Sequence, residues 1–248
     1  MYRLLITASA LVAVVFGAPH PDVSIHGGDD AALGQFPFIV ALNNSEQFCD
    51  GSIINKNWVV TAAHCIYSVK TNTTKVIAGT NKLDSGGTTY KVSQFLHHPD
   101  YNTTNSKNDI GLIQIVGEFE FSENLQPVEF TQAGVNASCQ AVGWGGTEEV
   151  VTPENLKYVG LTALGLDDCK RITADYNNGL YLGEEQVCGY GPSGKGACYG
   201  DSGGPFVCDG KLAGVTSYAF LPCARGVPDV YTRPTFYVDW INSVVNAE

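Results

Sequence analysis

The sequence has few charged residues, and basic residues are the scarcer of the two signs. Only 16% of its 248 residues are charged, with 14 Lys and Arg against 25 Asp and Glu, for a formal net charge of −11. Nucleic acids and heparin bind to basic patches, so this composition argues against both as partners. Beyond the N-terminus there is also no run of about 18 apolar residues, the length of a membrane-spanning helix, so no membrane partner is expected.

Helical periodicity is also scarce, and short apolar runs alternate instead with clusters of Gly, Asn, Asp, Ser and Thr. The 28 Gly and 11 Pro fit many short strands joined by tight turns. Four runs have the length and branching of β-strands: 36–42, 58–62, 110–116 and 210–218. The exception is the C-terminus, where the apolar residues fall on one helical face: Phe236, Trp240, Ile241 and Val244.

The N-terminus has the pattern of a secretory signal peptide. Arg3 supplies the positive charge, residues 4–16 form an apolar run too short to span a bilayer comfortably, and the small residues Gly17 and Ala18 follow. We therefore expect a signal peptide at 1–17 and a secreted, extracellular protein.

Cysteines and glycosylation sequons agree with that compartment. The even number of cysteines in a secreted chain predicts disulfides, in a pairing that the count alone leaves open. No Cys-x-x-Cys occurs, which makes a zinc site improbable. The cysteines are Cys49, Cys65, Cys139, Cys169, Cys188, Cys198, Cys208 and Cys223. The glycosylation candidates, each in a polar stretch, are Asn43, Asn72, Asn102 and Asn136.

Three short segments hold the residue types of a nucleophilic active site. Ser202 stands between an aspartate and two glycines, which permit unusual backbone angles, although the same run is also typical of a turn. His64 follows an apolar run beside Cys65, where a lone histidine is more often a capping or packed imidazole. Asp109 directly precedes a strand-like run and alone would be an ordinary turn residue. Together they supply a nucleophile, a base and a group to orient the base.

With these motifs the sequence resembles the chymotrypsin/trypsin family of serine endopeptidases from Ile25 to the C-terminal helix. The resemblance rests on Ile-His-Gly-Gly at 25–28, Thr-Ala-Ala-His-Cys at 61–65, Asp-Ile at 109–110, Gly-Trp-Gly at 143–145, Gly-Asp-Ser-Gly-Gly-Pro at 200–205, and Ser217. It implies an all-β fold of two six-stranded antiparallel Greek-key β-barrels with a C-terminal α-helix.

The resemblance also implies the organisation of the chain. It places an activation propeptide at 18–24, the protease domain at 25–248, a first barrel at about 25–125, a second at about 126–233 and the helix at about 235–246. The stretch 123–130, with Pro127, is the expected connection between the halves. No cofactor is implied. No metal is expected either, because the stretch 79–90, where calcium-binding members carry spaced glutamates, offers only Asp84.

The resemblance assigns roles to individual residues. It makes His64 the general base, Asp109 the group that orients it and Ser202 the attacking nucleophile, with the backbone N–H groups of Gly200 and Ser202 as the oxyanion hole. It also selects one disulfide pattern: Cys49–Cys65, Cys139–Cys208, Cys169–Cys188 and Cys198–Cys223.

Activation of a zymogen is implied as well. Asp201 would pair with the α-amine of Ile25 after cleavage between Ser24 and Ile25; the alternative is that Asp201 is a solvated turn residue. The sequence departs from the family pattern twice, since His26 replaces the usual valine and Ser24 is neither Arg nor Lys. We therefore predict cleavage by a protease of different preference, with the enzyme itself as one candidate.

A substrate pocket follows from the same resemblance. Its predicted residues are Gly196, Ala197, Tyr199, Ser217, Tyr218, Ala219 and Asp229. Gly196 stands where trypsins carry an aspartate, and Asp229 where glycine is usual, a combination similar to the brachyurin-type (collagenolytic) proteases of crustaceans and to related insect digestive enzymes. We predict a broad chymotrypsin-like preference, aromatic residues and Leu first, with some Arg and Lys accepted. The alternative is that Asp229 points away and the preference is purely chymotrypsin-like.

The expected partners are protein or peptide substrates, protein protease inhibitors and an activating protease, with the chain itself a monomer. One competing function is a non-catalytic homologue that acts as a binding protein on the same fold. Such homologues usually lose Ser202, His64 or Asp109, and all three are present. A secreted structural or allergen-like role could coexist with catalysis.

Overall fold

The computed structural model describes residues 25–44, 48–146, 154–176 and 179–247. The predicted signal peptide and propeptide lie outside these residues. Within them the strands are β1 (Asp29–Asp30), β2 (Ile39–Asn43), β3 (Phe48–Ile53), β4 (Trp58–Thr61), β5 (Lys75–Ala78), β6 (Thr88–His97), β7 (Gly111–Ile115), β8 (Ser138–Gly143), β9 (Lys157–Leu164), β10 (Gln186–Tyr190), β11 (Pro205–Cys208), β12 (Lys211–Tyr218) and β13 (Asp229–Thr232). The α-helices are α1 (Leu166–Thr173) and α2 (Val238–Val245).

Twelve of the strands form two closed antiparallel barrels. The first has the order β2-β3-β4-β7-β6-β5 and closes through the pairing of β2 with β5. The second has the order β8-β9-β10-β13-β12-β11 and closes through β8 and β11, while β1 adds to it beside β9. In each barrel the fourth strand returns to lie beside the first, which is the Greek-key order. The predicted fold class is therefore confirmed, and closure leaves neither barrel with a long free edge.

The two barrels share one apolar core. A single cluster joins Trp58 and Leu112 of the first barrel to Leu212 of the second and Ile241 of α2, with Trp144 between them. These side chains are almost completely buried, and each such burial stabilises the fold by about 1.5–3 kcal/mol. A second cluster fills the second barrel, where Phe206 and Tyr231 stack 4.3 Å apart. The shared core holds the barrels in one relative position, as a site built from both of them requires.

The four predicted strand runs each overlap a strand, namely β2, β4, β7 and β12. The predicted C-terminal helix is also present, as α2 preceded by a 3-10 turn at Pro234–Tyr237. Helix α1 is not predicted from the sequence. It has eight residues, and its buried face consists of Cys169 and Thr173, so it lacks the apolar stripe that marks an amphipathic helix.

Four disulfides brace these elements. The bonded pairs are Cys49–Cys65, Cys139–Cys208, Cys169–Cys188 and Cys198–Cys223, the pattern that the family resemblance implies. Cys139–Cys208 joins β8 to β11, and Cys169–Cys188 joins α1 to β10. Neither of the described helices is long and apolar enough to cross a membrane.

Candidate active site

Asp109 is a buried carboxylate whose hydrogen bonds come from both barrels. It lies two residues before β7 and is 1% exposed. Its Oδ1 accepts a 2.9 Å bond from the backbone N–H of His64, and its Oδ2 accepts a 2.6 Å bond from the hydroxyl of Ser217 in β12. Its carbonyl oxygen accepts a 2.9 Å bond from the hydroxyl of Thr232 in β13. A buried charge needs such partners, and here they fix the carboxylate in position.

His64 faces this carboxylate. It lies in the 3-10 turn Ala63–Cys65 directly after β4, and the Cys49–Cys65 disulfide ties that turn to β3. Its Nδ1 is 2.8 Å from Asp109 Oδ2, so Nδ1 carries the proton and Nε2 carries the basic lone pair. Burial works against the charged imidazolium, but the charge and hydrogen bond of Asp109 outweigh it, and the pKa of His64 is raised from 6.5.

The Ser202 turn is hydrogen-bonded to β3 of the first barrel and to β12 of the second. The carbonyl of Ser202 accepts a 2.8 Å bond from Asp50 N–H in β3, and Gly203 N–H donates a 2.8 Å bond to the carbonyl of Thr216 in β12. Gly203 has φ +77°, and a Cβ there would collide with the side chain of Thr61, three residues before His64. The glycine therefore lets Ser202 lie against the strand that leads to the histidine.

The backbone N–H groups around Ser202 divide into two sets. Those of Asp201, Gly203 and Gly204 donate to carbonyl groups within the fold. In the described parts of the chain, the N–H groups of Gly200 and Ser202 have no such acceptor. Gly200 has φ +92°, a backbone conformation that favours glycine. The N–H groups of Gly200 and Ser202, two residues apart and next to the serine hydroxyl, are thus free to donate to a ligand oxygen.

The comparisons with known proteins agree with this geometry. The family model described as Trypsin matches residues 25–241. Trypsin alpha of Drosophila melanogaster is 34% identical over 260 aligned residues, which cover 100% of both chains. Chymotrypsin-2 of Vespa crabro is 34% identical over 221 residues, 88% of this chain and 98% of the relative, and the trypsin of Phaedon cochleariae is 32% identical over 95% of this chain and 96% of its own.

The chain belongs to the trypsin family. It is therefore a serine endopeptidase that acts on protein substrates. The relatives include both trypsins and a chymotrypsin, so the choice of substrate depends on the residues of the pocket.

The predicted pocket of this trypsin-family chain lies beside the Cys198–Cys223 disulfide, whose Cα atoms are 5.5 Å apart. Asp229, the first residue of β13, is buried, and its Oδ2 accepts a 2.7 Å bond from Ala197 N–H. The same oxygen lies 2.9 Å from the position that a Cβ on Gly196 would take. The carboxyl group is thus directed at segment 196–197, and the absence of a side chain on Gly196 leaves room for it.

Burial governs the charge of Asp229. It raises the pKa of this carboxyl from 3.8 to about 8, against the hydrogen bond from Ala197, and the negative charge of Asp201 adds to the effect. At neutral pH Asp229 is therefore mostly a neutral acid unless a cation enters the pocket.

The other predicted pocket residues have different environments. Tyr199 is 51% exposed. The hydroxyl of Tyr218 donates a 2.8 Å bond to the carbonyl of Tyr181. Ala219, the next residue, is half-buried. The hydroxyl of Ser217 donates its bond to Asp109.

The residues predicted to take part in activation are both buried. Asp201 is 1% exposed and is thus not a solvated turn residue; its two oxygens accept 2.8 Å bonds from the N–H groups of Gly145 and Cys198. Burial raises the pKa of Asp201 to about 7, although these two bonds lower it. Ile25 is 0% exposed within the core of the second barrel, and His26 forms a β-bridge with Gly196.

Two residues of the site are absent from the sequence-based assignments. Thr232 anchors the backbone of Asp109, but nothing in its sequence context distinguishes it from other strand threonines. Asp50 is completely buried and bonds to Ser202. Its sequence signal is that of an acid directly after Cys49, and the structure places it within β3.

The same region contains a cluster of metal-ligand residue types. Potential ligand atoms of Cys49, His64 and Cys65 lie within 4.8 Å of one another. Because the two cysteines are joined in a disulfide, they offer no thiolate for a metal ion.

Proposed function

We propose that the chain hydrolyses peptide bonds through an acyl-enzyme on Ser202. His64 Nε2 takes the proton of the Ser202 hydroxyl as Oγ attacks the carbonyl carbon, and returns it to the departing amine as the C–N bond breaks. Water then repeats the sequence, and its attack on the ester releases the acid and restores the serine. The supporting observation is the 2.8 Å contact between His64 Nδ1 and Asp109 Oδ2, because a proton on Nδ1 leaves Nε2 as the base.

The N–H groups of Gly200 and Ser202 would stabilise the negative oxygen of the tetrahedral intermediate. The support is that both lack an acceptor within the described fold, whereas the N–H groups of Asp201, Gly203 and Gly204 have one. Removing one donor of this kind costs about 2.7–4 kcal/mol of transition-state stabilisation, a value from other serine proteases.

A fluorophosphonate probe tests the nucleophile. We expect covalent labelling of the cleaved protein at Ser202, loss of labelling in Ser202→Ala, and strongly slowed labelling in His64→Ala. An absence of labelling in correctly cleaved, folded protein would refute catalysis and favour a binding protein on the same fold.

The chain is proposed to be a secreted zymogen activated by cleavage between Ser24 and Ile25. The support is a buried carboxyl, Asp201, that makes no ion pair among the described residues. The new α-ammonium of Ile25 would supply that cation and order the Ser202 turn. Since Ser24 is not basic, an activator with other than trypsin-like preference is proposed, the enzyme itself included.

N-terminal sequencing of the purified mature enzyme tests this activation. A start at Ile25 is expected, and any other start in active enzyme would refute the model. The matched variant Ser24→Arg should become activatable by trypsin without a change in the mature product.

The pocket is proposed to prefer large apolar P1 side chains, aromatic residues and Leu, while accepting Arg and Lys through Asp229. This is the preference suggested by the likeness to brachyurin-type enzymes. Gly196 places no charge at the base, and the buried Asp229 carboxyl next to it can pair with a basic side chain.

A panel of peptides that differ only at P1 tests the preference. Asp229→Gly should reduce kcat/KM for Arg and Lys while leaving Phe and Leu within a few fold. Unchanged Arg and Lys cleavage in that variant would remove the carboxyl from recognition.

Some of the four sequons, not all of them, are proposed to carry glycans on a secreted, digestive, monomeric enzyme. Asn43, Asn72, Asn102 and Asn136 are all exposed, as glycan acceptors must be. A mass decrease on enzymatic deglycosylation of secreted protein checks this, with each Asn→Gln variant as its own control.

A further inference from the structure

Asp50 is a second buried acid beside Asp201 that the catalytic mechanism does not use. It is 0% exposed, and Asp201 is 1% exposed. A Cβ on Gly143 would lie 2.5 Å from Asp50 Oδ2 and closer still to Asp201 Oδ1. The two oxygens are therefore at most about 5 Å apart, the range in which like charges raise a carboxyl pKa.

No cation of the described fold balances these two acids. None of the ion pairs among the described residues involves Asp50 or Asp201. Among the described residues, the Asp50 carboxyl accepts one hydrogen bond, of 3.2 Å from Trp144 N–H to Oδ2, and its Oδ1 has no partner. Two ionised carboxylates so placed would repel each other in a medium of low dielectric, so at least one must hold a proton.

The titratable groups on which the charge of Asp201 acts are also acids. Burial, followed by the charge of Asp201, raises the pKa of Asp50 well above 3.8, while the bond from Trp144 lowers it. Asp229 and the buried Tyr231 both feel the negative charge of Asp201. Asp201 accepts two 2.8 Å N–H bonds and Asp50 only one of 3.2 Å, so Asp50 is the member of the pair that keeps the proton, and with that proton the pair carries one net negative charge.

Asp50 is also attached to the catalytic turn through its backbone. Its N–H donates a 2.8 Å bond to the carbonyl of Ser202, and its own carbonyl accepts a 2.8 Å bond from the hydroxyl of Thr61. A change in the charge of the pair therefore acts on the backbone that holds Ser202 and on the strand that leads to His64.

We propose that Asp50 and Asp201 form a buried acid pair that shares one proton, and that this singly charged pair, rather than Asp201 alone, receives the α-ammonium of Ile25. Asp50 is in this sense a positioning residue for the Ser202 turn. The second half of the proposal rests on the activation step proposed above. The first half concerns the uncleaved chain alone, and it predicts that the uncleaved form loses stability as pH rises from about 4 to 8.

The test uses the full-length, uncleaved chain made inert by Ser202→Ala, so that its result does not depend on catalysis. Both acids have raised pKa values in the folded state, so the stability they contribute is complete below pH 3.8 and is lost as pH rises through about 7 and beyond. We expect the Tm to fall by about 5–10 °C between pH 4 and pH 8.

A double-mutant cycle then separates a pair from two independent acids. Asp50→Asn and Asp201→Asn should each reduce this Tm decrease, and because each substitution also removes the repulsion on the other acid, the double variant should remove less than the sum of the two single effects. The exposed-site control Asp84→Asn should leave the slope unchanged. Additive effects of the two substitutions, or a slope unchanged by Asp50→Asn, would overturn the shared proton.

Two further measurements keep the proposal falsifiable. If Asp50→Asn does not fold, infrared spectra of Asp201→Asn replace it: the protonated-carboxyl band of Asp50 must titrate at lower pH than in the parent, and an unmoved titration overturns the pair. In the inert chain cleaved before Ile25, the Tm slope should shrink. If the double-mutant cycle shows coupling but cleavage does not change the Tm slope, only the proposal that the pair receives the α-ammonium of Ile25 is overturned. Failed labelling of Ser202 would bear only on the proposed catalysis.

Discussion

The buried carboxyl of Asp229 should make the substrate preference depend on pH. Its pKa of about 8 means that, without a cation in the pocket, about one-tenth of the molecules have an ionised Asp229 at pH 7 and about nine-tenths at pH 9. A basic P1 side chain pairs only with the ionised form. The ratio of kcat/KM for Arg to kcat/KM for Phe should therefore rise about tenfold from pH 7 to pH 9.

The ratio is the right quantity because it cancels the titration of His64, which affects both substrates equally. A charge-assisted hydrogen bond contributes about 1.5–3 kcal/mol, so Asp229→Asn should lower Arg cleavage by about 10- to 100-fold at pH 9. In that variant the ratio should no longer vary with pH. A ratio that is flat in the parent enzyme, or one that still rises in Asp229→Asn, would refute this explanation.

Three further predictions follow from the site. Ser217→Ala removes a 2.6 Å donor from the carboxylate that faces His64. The pKa of His64 should therefore rise and the acidic limb of the kcat/KM profile should move to higher pH, and Ser217→Thr should restore the profile. An unmoved limb contradicts the role of the bond. Gly203→Ala should abolish activity and destabilise the fold by more than Gly210→Ala. Gly210 has a similar φ of +73°, but a Cβ there would meet nothing within 4 Å, so Gly210→Ala should cost only about 1–2 kcal/mol. Equal losses in denaturant unfolding would argue against the close contact at Gly203. Replacing both cysteines of Cys198–Cys223 with alanine should reduce the free energy of unfolding by about 2–4 kcal/mol and raise KM for peptides, and an unchanged KM would separate this disulfide from the pocket.

Much of the fold could be predicted from the sequence because its signals are local. Runs such as 58–62 and 210–218 show their strand character in length and branching, and α2 shows a helical face with Pro234 just before it. Helix α1 was not predicted because its buried face consists of a disulfide cysteine and a threonine, and not of an apolar stripe. A short helix held by tertiary bonds has no periodic signal to read.

In the candidate site, too, some features are local in the sequence and others depend on the folded chain. The motifs around His64, Asp109 and Ser202 are contiguous and recognisable one by one. The orientation of Asp229 was left open by the sequence, because a carboxyl beside a pocket can face it or turn away. The bond from the Ser217 hydroxyl to Asp109 was also not predicted from the sequence. Such choices depend on which groups are close enough to bond once the barrels have closed.

The sequence by itself determined the family motifs, the strand-rich architecture and the residue types of the nucleophile, base and acid. The tertiary structure decided their partners. Asp109 bonds to residues 45, 108 and 123 positions away along the chain, and Asp50 meets Asp201 across the two barrels. Burial then removes water from these acids and shifts their pKa values, an effect that depends on the atoms around a carboxyl and not on its neighbours in sequence.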